Sequence, residues 1–219
     1  MGGSAPGIGT AEETRASPQA GGGAGSSGAR PIIPANRAIY MLDDLEKAAL
    51  LKLARTTLEA YFADKAAPAC PAFPKALVDR KGAFVSLHRG EELRGCIGQL
   101  YPDRELCKIV QHCVLSAALE DIRFVPISQE ELPDLDIEIS VLSPFRRVKD
   151  IEEIEVGRHG LYVVQDQFRG LLLPQVATQF NWDRKKFLQQ TCRKAGLPES
   201  AWQDPRTIIH IFEADVFSE

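Results

Sequence analysis

Arg94 and Cys96 stand two residues apart in Leu93-Arg94-Gly95-Cys96-Ile97-Gly98, with a glycine just before the cysteine and another two residues after it. In an extended backbone, alternate side chains share a face. Arg94, Cys96 and Gly98 then project one way, and Leu93, Gly95 and Ile97 the other. The two reactive residues lie about 6–7 Å apart at Cα in that geometry. A guanidinium so close to a thiol favours the thiolate, the form that acts as nucleophile or metal ligand. Gly95 and Gly98 weaken a strand, so they mark a bulge, or a place where a ligand or another backbone comes close. The same residues have a second reading. A cysteine is often a small buried hydrophobe, and two glycines can shape a bend over a helix. Residue types alone leave both open.

Other polar residues are less pointed. His88 stands at a strand end beside this segment, where it is either a base or an ordinary strand-end histidine. His112 falls mid-helix, off the apolar stripe. His159, in Gly157-Arg158-His159-Gly160, lies in a loop that leaves it free to point into a cleft. His210 alternates within an apolar strand. Asp121 and Arg123 are spaced to pair across a loop. Cys107 and Cys113, six apart, do not share a helical face as metal ligands. No Ser-His-Asp order presents itself.

The elements that must hold these residues follow from periodicity. Asp43, with Glu46 three residues on, begins a helix over 44–62. Its stripe is Leu42, Leu45, Ala49, Leu53, Thr56 and Ala60. Pro68, Pro71 and Pro74 make 64–80 irregular, with one turn near 75–78. A hairpin joins strands 83–88 and 93–100 through Arg89-Gly90-Glu91. Asp103 caps a second helix over 104–120. Residues 135–142 alternate as a strand. A second hairpin pairs 161–165 with 168–173, and Pro174 ends it. Short and longer helices follow over 175–180 and 184–195, the latter closed by Gly196. A last strand covers 207–212. Hairpins with helices between them predict an α+β fold with an antiparallel or mixed sheet and flanking helices.

Composition bounds the rest. The chain has 219 residues, 44% hydrophobic and 26% charged, with a net charge of −4. That balance disfavours nucleic acid and anionic membranes as partners. No apolar run reaches the roughly 20 residues that a membrane span needs. Five cysteines without a C-x-x-C pair argue against a disulfide framework or zinc knuckle, and point to a reducing, cytoplasmic setting. G-x-x-x-x-G-K-[ST] does not occur, and the one G-x-G-x-x-G match, Gly23–Gly28, falls in the Gly-rich N-terminal stretch with no apolar strand before it, so no cofactor or metal is implied. Residues 1–37 form a Gly/Ala/Ser-rich tail expected to be disordered, and 38–219 one domain. Nine of the 17 glycines fall in the first 30 residues, which hold no Leu, Val, Phe, Tyr or Trp.

The hexapeptide resembles the signature of the AMMECR domain family, also called AmmeMemoRadiSam system protein A. Later segments continue the likeness: Ser116-Ala117-Ala118, Asp121-Ile122-Arg123-Phe124, Ile139-Ser140-Val141-Leu142-Ser143, Leu171-Leu172-Leu173-Pro174-Gln175-Val176-Ala177, and Lys194-Ala195-Gly196-Leu197. It spans about 43–219. Ile122 departs from it, standing where many relatives carry Pro. The resemblance implies a larger and a smaller subdomain around a cleft, with the Arg-Gly-Cys-Ile-Gly segment near it. It also implies association with a Memo-like protein and a radical-SAM protein, and it names no reaction. Two functions remain. In one, Cys96 is nucleophile or ligand, Arg94 its partner or an anion clamp, and Asp121, His159 and Gln175 wall a cleft in which Gly95 and Gly98 give room to a ligand. In the other the domain is an interaction module and Cys96 is structural.

Overall fold

A computed structural model describes residues 41–71 and 75–219. The expected tail over 1–37 and the first residues of the expected domain lie outside this range. Helix α1 runs Asp44–Phe62. Its capping box forms as expected: Glu46 N–H donates to Asp43 at 2.8 Å, and Asp43 N–H to Glu46 at 2.9 Å. Strands β1 (Ala83–Arg89) and β2 (Glu92–Gln99) make the first hairpin. Helix α2 is shorter than expected, Leu106–Leu119, and Glu105 rather than Asp103 precedes it. The Asp103 carboxylate is taken by Gln99 and Arg104 instead, which removes it as a cap.

Strands β3 (Asp136–Leu142), β4 (Arg146–Arg147), β5 (Gly160–Gln165) and β6 (Phe168–Leu172) follow. Helices α3 (Pro174–Gln179) and α4 (Arg184–Lys194) come next, then β7 (Ile208–Phe212) and β8 (Ala214–Ser218). The strands build two four-stranded sheets, ordered β2-β1-β3-β8 and β4-β7-β5-β6. Every pairing is antiparallel. The fold is α+β, as the hairpins and intervening helices suggest. The sheets are joined where β3 leads to β4 and β7 to β8. At this crossing Ser143 N–H donates to the Glu213 carbonyl, and Glu213 N–H to the Ser143 hydroxyl.

Three apolar clusters hold this arrangement. The first packs α1 and α2 on the first sheet, with Leu50, Leu58, Val85, Leu87, Ile109, Cys113, Ile137 and Ile139 fully buried. The second packs α3 and α4 on the other sheet through Leu161, Val163, Ala177, Phe187, Leu188 and Ile211. The third is the seam, where Phe84, Leu100 and Leu142 meet Phe145, Tyr162 and Phe212. Its rings contact edge to face and tilted, at centroid distances of 5.2–6.3 Å.

Two features correct the sequence reading. Strand β8 escapes the periodicity because its inward Asp215 is polar. That buried carboxylate accepts from Leu42 N–H at 2.8 Å and pairs with Lys47 at 2.9 Å. And Cys70 and Cys107 are joined as a disulfide, where none was expected. They are 37 residues apart, and the irregular segment before the first hairpin brings Cys70 onto α2. Cysteine spacing along the chain carries no trace of that approach.

Gly95 fixes how closely β2 lies on α2. A Cβ there would overlap the Ala117 carbonyl group, a backbone atom set within a helix. A Cβ on Gly98 would meet the ring of Phe84, a side chain. Gly95→Ala is therefore expected to cost about 2–3 kcal/mol of stability in urea denaturation, and Gly98→Ala less, because a ring turns aside more readily than a helix backbone. A larger loss in Gly98→Ala would contradict this packing.

Candidate functional site

Cys96 lies on β2, directly opposite Ser86 of β1. Its neighbours Gly95 and Ile97 face α2 and the first core, so Cys96 faces the other way, away from the helices. Phe84 and Gly98 share that face and belong to the aromatic seam. The thiol is half-buried rather than sealed in the core. The Ser86 hydroxyl donates to its sulfur at 3.3 Å.

Among the described residues, strand β2 is the edge of its sheet, and none of their strands lies on the outer side of Cys96. The loop after α2 fills that role. Asp121 Oδ2 accepts from Cys96 N–H at 2.9 Å, and Arg123 Nη2 donates to the Cys96 carbonyl at 3.0 Å. Arg123 also binds Asp121 through two nitrogens, Nε at 2.9 Å and Nη2 at 2.6 Å. Both backbone groups of Cys96 are thus held by one carboxylate and one guanidinium. The Arg123 guanidinium holds the Asp121 carboxyl well below the usual range, with the Cys96 amide adding to this against the opposing effect of burial. Arg123 in turn is raised, first by its hydrogen bond to Asp121, against the opposing effect of burial.

The expected partner of the thiol is placed elsewhere. The β1–β2 register slips between Leu87 and His88: Leu87 pairs with Gly95 and His88 with Leu93, leaving Arg94 unopposed in a bulge. Its guanidinium binds the Glu131 carboxylate through Nε at 3.1 Å and Nη2 at 3.0 Å. Simple strand alternation therefore does not carry from Arg94 to Cys96. Glu131 also accepts from Ser128 N–H, so Arg94 ties the bulge to the turn over 129–134. The cation that reaches Cys96 is Arg123, which the sequence reading treated as an ordinary ion-pair partner. The D-x-R spacing after a helix was the available signal, but nothing in it shows which strand the pair would clasp.

His159 and Gln175 belong to the second sheet's half. His159 is buried, and its Nδ1 accepts from Glu155 N–H at 3.0 Å, which folds its loop back on itself. Burial pushes its imidazole below the usual histidine value. Gln175 sits in the first turn of α3, and its buried Oε1 has no hydrogen-bond partner among the described residues. No hydrogen bond or ion pair among the described residues links either of them to Cys96. His88 is half-buried on β1, two residues past Ser86. Cys113 is fully buried in the first core, and burial pushes its thiol up to about 12. Among the described residues, no three His, Cys, Asp or Glu side chains come together to hold a metal. A surface cavity of about 260 Å³ lies in the second half, between Arg147, Lys149 and Trp202, and is lined by none of the expected site residues.

The clasp has an acid dependence. A carboxyl lowered by folding stabilises the fold fully above its ordinary value of 3.8, and that contribution is lost as pH falls below it. Asp121→Asn is expected to destabilise the protein by about 1–2 kcal/mol at pH 7, from the weakened bonds to Cys96 and Arg123. The gap between variant and parent, read from denaturation midpoints, should narrow as pH falls below 3.8. An unchanged gap at acid pH would show that the ionised clasp contributes nothing.

Comparison with known proteins bears out the family resemblance. The AMMECR1 family model matches residues 51–217. A protein of Methanothermobacter thermautotrophicus is 40% identical over 178 residues, covering 78% of this chain and 92% of its own. One of Thermococcus kodakarensis is 39% identical over 192 residues, covering 83% and 94%. The crystal structure of an uncharacterized protein from Pyrococcus horikoshii is similar at a TM-score of 0.76 and 36% identity, covering 82% and 94%. The chain belongs to the AMMECR1 family.

Proposed function

We propose that the protein works through a small-ligand or catalytic site centred on Cys96, in the cytoplasm and together with a Memo-like and a radical-SAM protein. One observation carries the site: a half-buried thiol on the helix-free face of the sheet, with a hydroxyl donor on one side and a clasped guanidinium on the other. The Ser86 hydroxyl donates to the sulfur, and Arg123 donates to the carbonyl of the same residue. In this reading Cys96 is nucleophile or ligand, Asp121 and Arg123 set its position, and Gly95 and Gly98 keep the strand close to its neighbours. Arg94 supports the bulge that precedes the thiol. His159 and Gln175 would serve as cleft walls from the second half. The partner proteins rest on the family resemblance alone.

A second reading draws on a different observation. Ile122 is 100% exposed and Val125 76%, both beside Arg123 on the loop that clasps Cys96. Two bare aliphatic side chains at the site suit a surface covered by another protein. Cys96 would then be structural.

Thiol labelling separates the two. Burial pushes the Cys113 thiol up to about 12 and raises that of Cys192, and both are fully enclosed. Iodoacetamide at pH 8 is expected to modify Cys96 ahead of Cys113 and Cys192 in the folded protein. Cys96→Ser should abolish that labelling and ligand turnover while leaving the fold intact. An inert Cys96, with Cys96→Ser still able to bind its partner proteins, would favour the interaction module.

A further inference from the structure

The two ends of the Cys70–Cys107 disulfide sit in unlike surroundings. Cys107 lies in the first turn of α2 and has no exposed surface. Cys70 lies in a segment without regular structure and is partly exposed. That segment has a second anchor. Gln111 of α2 donates to the Pro68 carbonyl at 2.7 Å and to the Thr57 hydroxyl of α1 at 3.4 Å. The covalent bond is therefore not the segment's only attachment to α2. Breaking it leaves the segment tethered through Gln111.

We propose that Cys70–Cys107 is a thiol-exchange site for a low-molecular-weight thiol of the glutathione class, entered at Cys70. In the first step the small thiolate attacks Cys70 Sγ. A mixed disulfide forms on Cys70, the Cys70–Cys107 bond breaks, and Cys107 leaves as a thiolate that takes up a proton. In the second step another small thiolate attacks its counterpart in the mixed disulfide. This releases the oxidised small-molecule disulfide and leaves Cys70 as a thiol. The protein gains two electrons and two protons, and the two small thiols lose them. The reverse sequence, driven by the oxidised small disulfide, closes the bridge again. Attack follows exposure: Cys70 is partly exposed on its segment, and Cys107 is enclosed by the core. Closure cross-links two points 37 residues apart and so restricts the unfolded chain. The same site then takes both a bridged and an open form, which lets a disulfide exist in a chain that works in a reducing compartment.

The full chain allows a direct test, because residues 66–75 and 105–108 fall in separate tryptic peptides with one cysteine each. The oxidised protein is incubated with reduced glutathione in a graded ratio to oxidised glutathione, quenched with acid and mapped by mass. The expected result is a glutathione adduct on peptide 66–75 at intermediate ratios, none on 105–108, and a melting temperature several degrees lower once both thiols are free. Cys107→Ser, which lacks the resolving thiol, should accumulate the adduct on Cys70. Should that variant not fold, the map of the parent chain decides alone. An adduct first on peptide 105–108 overturns the proposal. So do two cysteines that remain alkylatable after oxidised glutathione, or a bridge that reduced glutathione leaves closed.

Discussion

A strand at the edge of a sheet leaves half of its backbone groups without a neighbouring strand. At Cys96 of this AMMECR1-family protein, Asp121 and Arg123 take the missing strand's place. The carboxylate accepts the amide, and the guanidinium donates to the carbonyl. A hydrogen bond to a charged group contributes about 1.5–3 kcal/mol, roughly twice a neutral one. The clasp therefore fixes the backbone of one residue more firmly than an ordinary ladder contact would. The remaining features of the site build outward from it. Gly95 brings β2 against Ala117 of α2, and the loop holding Asp121 leaves that same helix. Strand and clasp are thus set by one helix. The thiol, carried by the clasped residue, is presented on the opposite face beside the aromatic seam.

Two guanidiniums near the hexapeptide divide the work. Arg94 precedes the thiol in sequence and binds Glu131, securing the bulge to the turn beyond α2. Arg123 is 27 residues downstream of Cys96 and reaches its carbonyl. Arg94's side chain is 12% exposed and Arg123's 51%, so the second has surface left to meet a ligand. The guanidinium that holds Cys96 comes from the residue that is distant in sequence.

Sequence legibility follows the range of the interactions. The bounds of helix α1, the two hairpins, α4 and the core faces of β3 and α2 were all legible, because each rests on contacts a few residues apart: a capping box, a turn, an alternation. The expected stripe of α1 was not, since Leu45 is 78% exposed and the buried face is Leu50, Leu53, Ala54, Thr57 and Leu58. Gly95 and Gly98 were legible as sites of close approach, though not what approaches them. The Arg94 bulge was not. It arises from a register slip against β1 that neither strand's pattern records. Nor was the Cys70–Cys107 bridge, the polar inward face of β8 at Asp215, or the split into two sheets at Ser143 and Glu213. Each of these depends on a partner 37 to 173 residues away. Asp121 was singled out from its own neighbourhood, yet its bond to Cys96 spans 25 residues and appears only in the fold.

The clasp is tested most directly at the amide it holds. Hydrogen exchange of Cys96 N–H in the folded protein, followed residue by residue, reports whether an edge-strand amide has a partner. Exchange slowed to the range of the interior amides of β1, and released at Cys96 alone in Asp121→Ala, is the expected result. A Cys96 amide that exchanges in the parent protein as fast as an exposed loop amide would contradict the account.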